Sequence, residues 1–153
     1  MNTTEFTTSP VEIVNVQPRL AAVVRKRVAM TDVPDAQRRA RLALETALRA
    51  ADVTPLGPNL TVWRMPDGGS IDYAPGVFVA KPLKGTGDVS TITLPEGRAA
   101  HLRLSGSYAG LPEAWSRLFK GCEGRALSGM NWEIYTTADS AAETHTDLYA
   151  LLA

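Results

Sequence analysis

A β-strand is predicted at Gly129-Met130-Asn131-Trp132-Glu133-Ile134-Tyr135, because Trp, Ile and Tyr favour a pleated, half-buried surface. Side chains alternate between the two faces of a strand, so Glu133 and Tyr135 share one face and Trp132 and Ile134 share the other. The same pattern occurs earlier in the chain, at Gly57-Pro58-Asn59-Leu60-Thr61-Val62-Trp63.

The two stretches match in chemistry at almost every position. Gly and Asn recur, the large apolar positions recur, and Trp63 corresponds to Tyr135. The exception is Thr61, which stands where the second copy has Glu133. We interpret this as an internal duplication in which one charged residue breaks the symmetry.

Length and charge limit the classes of protein to consider. A chain of 153 residues forms one domain, or two small repeats that share a core. The hydrophobic fraction of 44% and the charged fraction of 21% are ordinary for a globular protein. Lys plus Arg and Asp plus Glu balance at 16 each, whereas nucleic-acid-binding proteins usually have a basic excess. We therefore expect no direct nucleic-acid partner.

Metal, disulfide and membrane signals are weak in this sequence. Cys122 is the single cysteine, which excludes an internal disulfide and a multi-cysteine metal site. His101 and His145 lack metal-ligand spacing and a paired nucleophile nearby in sequence, so we expect neither a metal nor a cofactor. Residues 1–10 lack the features of a signal peptide, and no run approaches the roughly 18 apolar residues of a membrane span. We expect a cytoplasmic protein with a disordered N-terminus at 1–10 and no membrane partner.

The order of predicted elements indicates an α+β fold. Each half reads as strand, helix and hairpin, which predicts two βαββ units related by pseudo-twofold symmetry. They would form a single domain at 11–153, with repeat one at 11–83 and repeat two at 88–153. We expect one antiparallel sheet with two helices on one face and a ligand groove at the other. Strands are predicted at 11–16, 20–28, 60–65, 71–82, 89–94, 98–105, 132–137 and 146–152, helices at 33–52 and from Leu111, and turns at 95–97 and 138–143.

One face of each hairpin must pack against its helix. We assign that role to the apolar pairs, such as Trp132 and Ile134, which leaves Glu133 and Tyr135 on the opposite face. Near the symmetry axis this would give an aromatic groove with one carboxylate, which suits a cationic small molecule. The alternative is a solvent-exposed Glu133, with the aromatic residues serving as cross-strand or core side chains.

Six short pieces of the sequence, taken in their order and spacing, carry a family resemblance. They are Gly57-Pro58, Ile71–Val79, Leu94–Gly97, Gly106-Ser107-Tyr108, Trp132–Tyr135 and Thr146–Tyr149. With these pieces the chain resembles the GyrI-like (gyrase-inhibitor-like) small-molecule-binding domains, which also form the effector-binding halves of multidrug-sensing MerR-class and some AraC-class regulators. Leu104 departs from the family pattern, because many members carry a His there.

The resemblance implies a duplicated βαββ fold with a pocket between the repeats for planar, lipophilic, often cationic compounds. The buried Glu of the family maps onto Glu133. Only about ten residues precede the first predicted strand, so we expect a stand-alone domain. We further expect a monomer or weak dimer. The candidate ligand-binding aromatic residues are Trp63, Tyr108, Tyr135 and Tyr149, together with Tyr73 from the matched run.

Three functions of different classes remain open. The first is binding of a small hydrophobic or cationic aromatic molecule. The second is hydrolysis of cyclopropane-bearing genotoxins, as some relatives perform, with Glu133 as general base and Tyr135 or Tyr108 at the substrate carbonyl. The third is interaction with gyrase through a basic helix face formed by Arg38, Arg39, Arg41 and Arg49, for which a solvated helix face is the simpler interpretation.

Overall fold

The computed structural model describes residues 5–84, 87–136 and 144–153. The chain divides into two compact units. The first unit is Gln17–Pro95, and the second unit combines the chain up to Val16 with Glu96–Ala153. The helices are α1 (Val33–Ala51) and α2 (Leu111–Gly121), and the strands are β1 (Phe6–Thr8), β2 (Glu12–Val16), β3 (Arg19–Val24), β4 (Lys26–Ala29), β5 (Asn59–Arg64), β6 (Ser70–Phe78), β7 (Val89–Leu94), β8 (Gly97–Gly106), β9 (Leu127–Thr136) and β10 (His145–Leu152).

The first unit packs helix α1 on antiparallel strands in the order β5-β6-β3-β7, with β4 also paired to β6. Helix α1 forms because apolar residues recur at three- and four-residue spacing, and Leu44 and Leu48 of this stripe are buried. They pack with Ala22, Val24 and Val77 of the strands. The predicted helix at 33–52 is therefore confirmed.

The second unit packs helix α2 on antiparallel strands in the order β1-β8-β10-β9, with β2 also paired to β8. Leu118 of α2 is fully buried against Leu102 and Leu104 of β8 and Leu148 of β10. Together the two units confirm the predicted α+β class, with antiparallel strands and one helix in each unit.

The predicted repeat boundaries at 11–83 and 88–153 differ from the observed units. Strand β2 pairs with β8 and belongs to the second unit, whereas β7 pairs with β3 and belongs to the first. The strands on either side of the predicted turn at 95–97 therefore pair in different units and not with each other. Alternating apolar residues identify a strand but do not specify its neighbour.

The N-terminal prediction is corrected for the residues that the structure describes. Residues 6–8 form strand β1, which pairs antiparallel with the end of β8. The Phe6 ring packs on the Cα of Gly110, where any larger side chain would collide with it. Residues 1–4 and the predicted turn at 138–143 lie outside the described residues. In the part of the chain that is described, no helix has the length and hydrophobicity needed to cross a bilayer.

Candidate functional site

Glu133 lies on the face of strand β9 that packs against helix α2. Its cross-strand neighbour is Leu148, whose own neighbour on β8 is Leu102, and both leucines belong to the core around Leu118. The prediction that Glu133 occupies the face opposite the helix is therefore wrong. Strand periodicity identified which residues share a face, but the register with β8 and β10 decides which face meets the helix.

The carboxylate of Glu133 is buried, as the resemblance implied, with 9% of the residue exposed. Burial raises the pKa of Glu133 to about 7, because the charged form loses its hydration. Hydrogen bonds from Trp115 and Tyr135 act in the opposite direction by stabilising the charged form. A carboxyl group with this pKa exchanges its proton near neutral pH.

The two oxygens of Glu133 have different surroundings. The Tyr135 hydroxyl donates to Oε1 over 3.4 Å, a long hydrogen bond between residues two apart on one strand face. Oε2 is inaccessible to solvent and has no hydrogen-bond partner among the described residues. This oxygen is therefore a buried acceptor that the described part of the chain leaves unsatisfied.

Trp115 is a site residue that the sequence analysis did not identify. Its spacing in α2 assigns it to the apolar face of the helix, and it does pack on the core beside Phe119, with ring centroids 5.4 Å apart. The indole N–H also hydrogen-bonds the Glu133 carboxylate. The sequence did contain a signal, because Trp115 lies on the apolar face of α2. With Glu133 assigned to the face of β9 that packs against α2, this position would have indicated a contact between the two residues.

Tyr108 completes the cluster at the start of α2. Its ring meets the Tyr135 ring edge-on, with centroids 6.1 Å apart and planes at 89°. Tyr108 is 45% exposed, whereas Tyr135 is half-buried. The aromatic groups thus run from the surface to the buried carboxylate. We call Glu133, Tyr135, Tyr108 and Trp115 the Glu133 site.

Tyr149 lies on the opposite face of the second unit. It pairs with Trp132 in the strand register, and their rings stack at 5.4 Å with an interplanar angle of 17°. His101 lies on its other side, 4.9 Å between centroids. The structure therefore separates Tyr149 from the Glu133 site, although the resemblance groups them.

A charged network occupies that same face. Asp147 accepts from Arg103 Nε at 2.9 Å and lies 2.7 Å from Nε2 of His101. Burial alone would raise the pKa of Asp147, but the hydrogen bonds from His101 and Arg103 outweigh it and lower the pKa to about 2. No cluster of three or more His, Cys, Asp or Glu side chains suited to a metal ion occurs among the described residues.

Trp63 and Tyr73 lie in the first unit. They are cross-strand partners on β5 and β6, and the Tyr73 hydroxyl hydrogen-bonds the Gln37 amide of α1 over 2.7 Å. Both residues are therefore on the α1 face of that unit. Thr61, which corresponds to Glu133, is fully buried, so the first unit has no carboxylate at this position.

A groove of about 490 Å³ lies beside Tyr73 in the first unit. The groove lies between α1 and the strand residues around Lys26. Two ion pairs line it, Lys26 with Asp88 at 2.8 Å and Arg39 with Asp35 at 2.9 Å. Its charges are thus largely compensated within the protein.

The basic face predicted for α1 is used mostly within the chain. Arg41 donates to the backbone carbonyl oxygens of Gly76 and Leu60, at 2.7 and 3.0 Å. Arg38 and Arg39 both pair with Asp35 of the same helix. Among the contacts of this helix with other described residues, none favours a gyrase partner over the solvated helix face.

Comparison with solved structures shows the fold of the chain. It is similar to the C-terminal domain of EcmrR, with a TM-score of 0.77, 15% identity and coverage of 94% of this chain and 96% of that chain. It is also similar to EcmrR as seen in a complex with DNA, with a TM-score of 0.77, 16% identity and coverage of 95% of this chain. The present chain spans only 56% of that EcmrR chain.

Two further structures share the fold at low identity. One is SAV2435 bound to tetraphenylphosphonium, with a TM-score of 0.68, 10% identity and coverage of 95% of this chain and 94% of that chain. The other is a hydrolase from Listeria innocua, with a TM-score of 0.59, 12% identity and coverage of 94% of this chain and 92% of that chain.

Sequence comparison assigns the family. No curated protein sequence is significantly similar to the chain. The GyrI-like small molecule binding domain matches residues 9–150, nearly the whole sequence. The protein therefore belongs to the GyrI-like family of small-molecule-binding domains.

Proposed function

We propose that the Glu133 site binds planar, lipophilic cations. The observation that carries this proposal is the buried Glu133 carboxylate with its unsatisfied Oε2. A buried anion without full compensation is costly, and a ligand cation would supply the missing charge. A neutral or anionic ligand would leave that cost in place.

The aromatic residues suit the same kind of ligand. Aromatic faces attract cations; the Tyr135 hydroxyl donates to the carboxylate, and the Tyr108 ring meets the Tyr135 ring at a right angle. Tyr108 is exposed, so a flat ligand could reach it from solvent before contacting Glu133. The SAV2435 structure supports the lipophilic and cationic character of the ligand, because a protein of this fold is bound there to tetraphenylphosphonium, a lipophilic cation that is tetrahedral rather than planar.

Calorimetric titration at pH 8 tests this proposal. The probes are tetraphenylphosphonium and a planar cationic acridinium dye. We expect Glu133→Gln to weaken both by at least tenfold, because it removes the charge and nearly preserves the shape. Glu113→Gln is the matched control, since Glu113 is an exposed residue of α2 whose side chain pairs with Arg117. Equal affinities for the wild type and Glu133→Gln would refute the proposal.

Hydrolysis of strained rings is a second candidate function, favoured by the pKa of about 7 for Glu133. A general base with this pKa is well matched to reaction at neutral pH. Glu133 would take a proton from water as the water oxygen bonds to a cyclopropane carbon. The ring C–C bond would break, and its electron pair would move into a conjugated carbonyl that Tyr135 or Tyr108 protonates. The fold is shared with a hydrolase from Listeria innocua.

Mass spectrometry distinguishes the two functions. Incubation with a cyclopropyl enone alkylator should yield a product that has gained one water, and Glu133→Gln should abolish its formation while retaining binding of the neutral substrate. If the wild type leaves the substrate unchanged after prolonged incubation, hydrolysis is excluded and ligand binding is the function that stands. Turnover that survives in Glu133→Gln would exclude the general-base role.

A further inference from the structure

Three polar side chains on the α2 face of the second unit have buried atoms without hydrogen-bond partners among the described residues. They are Nδ2 of Asn131, Oε2 of Glu133 and Oγ1 of Thr146. The residues are 2%, 9% and 1% exposed, respectively. Because unsatisfied buried polar atoms are rare in native proteins, a group of three calls for a specific explanation.

The strand register brings the three residues together. Asn131 and Glu133 are two apart on β9, so they share one face and their Cα atoms are roughly 6–7 Å apart. Thr146 of β10 lies directly opposite Tyr135, the next residue on that face. The three residues therefore form a row along one face of the β9–β10 pair, with Thr146 on the neighbouring strand, and the row passes through the Glu133 site.

The chemistry of the row is specific. The Asn131 amide nitrogen can only donate, and the Glu133 oxygen accepts when it is ionised. A ligand that satisfies both must carry an acceptor, such as a carbonyl oxygen, and a cationic or proton-donating group. A simple lipophilic cation satisfies the carboxylate but leaves the amide without a partner.

The internal repeat shows that this Asn has a special environment. Its counterpart in the first unit is Asn59, which is exposed, and the residue corresponding to Glu133 there is Thr61. The buried Asn thus occurs in the copy that also carries the carboxylate. If the Asn were needed only for the geometry of the strand, it would be expected to have the same environment in both copies.

We propose that Asn131 is a specificity-determining residue that donates to a carbonyl-type oxygen of the ligand. This inference rests on the proposed function, since it assigns a ligand class to the same site. The preferred ligands are flat cations with a carbonyl acceptor roughly 6–7 Å from the cationic centre, the spacing set by alternate residues of a strand. Ligand binding removes the free-energy cost of leaving the Asn131 amide donor buried and unpaired.

A matched pair of probes tests the inference by calorimetric titration at pH 8. One probe is 10-methylacridinium, and the other is the same cation with a ring carboxamide, prepared with the carbonyl at several ring positions. We expect the best carboxamide isomer to bind the wild type more tightly than the parent cation. Asn131→Leu should weaken binding of that carboxamide isomer about tenfold and change the affinity for the parent cation less than twofold.

The control is Asn59→Leu, the same substitution at the exposed position of the other copy. It should leave both affinities unchanged. The melting temperature of the ligand-free protein provides a second readout. Asn131→Leu should keep or raise it, because an apolar side chain replaces an unsatisfied donor. Asn131→Ala, which is smaller, serves the same purpose if Leu does not fit.

The outcomes separate this inference from the proposed function. If both probes require Glu133 but Asn131→Leu and Asn131→Ala weaken them equally, or weaken neither, the specificity role is overturned while cation binding stands. A lower melting temperature without selectivity would assign Asn131 a structural role. If the wild type binds no probe, both proposals fail together.

Discussion

The Tyr135 hydroxyl and Oε1 of Glu133 lie 3.4 Å apart on one face of strand β9. This pair, together with the Trp115 hydrogen bond, is too weak to offset the burial of the carboxylate, so the pKa of Glu133 is raised to about 7. The site is thereby sensitive to pH in the neutral range.

Glu133→Gln should stabilise the ligand-free protein at alkaline pH. The folded state holds the Glu133 proton between the ordinary pKa of 4.5 and about 7, so the wild type loses stability as pH rises through this window. Above pH 7 the loss is on the order of 3 kcal/mol, and Gln avoids it. Urea unfolding at pH 4.5 and pH 8 measures the difference. If Glu113→Gln reproduces the gain at pH 8, the effect is not specific to the buried carboxylate.

Affinity for a lipophilic cation should increase with pH up to about 7 and then level off. Below that pH the ligand must displace a proton from Glu133, so each unit of pH costs up to about tenfold in affinity. Titration of tetraphenylphosphonium, whose charge does not change with pH, isolates this effect. An affinity that is flat between pH 5.5 and 8 would show that the carboxylate does not contact the cation.

Trp115→Phe should shift the pH dependence of binding to higher values. The substitution keeps an aromatic ring on the core but removes the indole N–H that stabilises the ionised carboxylate, so the pKa of Glu133 should rise. We expect a shift of the midpoint by about one unit, because a net hydrogen bond to a charged group is worth about 1.5 kcal/mol or more and one pKa unit corresponds to about 1.4 kcal/mol. Trp132→Phe, on the opposite face, is the control. A midpoint that moves equally in both variants would contradict a specific role for Trp115.

Asp147→Asn should destabilise the protein at neutral pH without changing ligand affinity. The pKa of Asp147 is lowered from 3.8 to about 2, so its ionised form contributes stability above pH 3.8 that is lost as pH falls toward 2. The loss at pH 7 should be about 2 kcal/mol, since the side chain is mostly buried between His101 and Arg103. Thermal unfolding at pH 7 and binding of tetraphenylphosphonium measure the two effects. A large change in affinity would place Asp147 in the binding site after all.

Local sequence patterns predicted several features of the fold because each is encoded within a few residues. The apolar stripe of α1 and the alternation around Trp132 and Ile134 identify a helix and a strand without reference to the rest of the chain. The comparison of Glu133 with Thr61 likewise identified the asymmetric carboxylate. The family resemblance supplied the duplicated fold and the burial of Glu133.

Strand pairing could not be predicted in the same way. The strands around the turn at 95–97 were predicted from local patterns, but β7 pairs with β3 and β8 pairs with β10, both distant in sequence. Assigning Trp132 and Ile134 to the helix face was reasonable on hydrophobicity alone. It is wrong because Trp132 has an alternative on the other face, where it stacks on Tyr149.

The sequence by itself determined the class of fold, the helices and the single carboxylate that breaks the repeat, because periodicity, turn residues and charge are local properties. Only the tertiary structure decided that Glu133 faces α2, that Trp115 donates to it and that Tyr149 lies on the far face. These facts depend on the register between β8, β10 and β9. A shift of one residue in that register would exchange every side chain between the two faces.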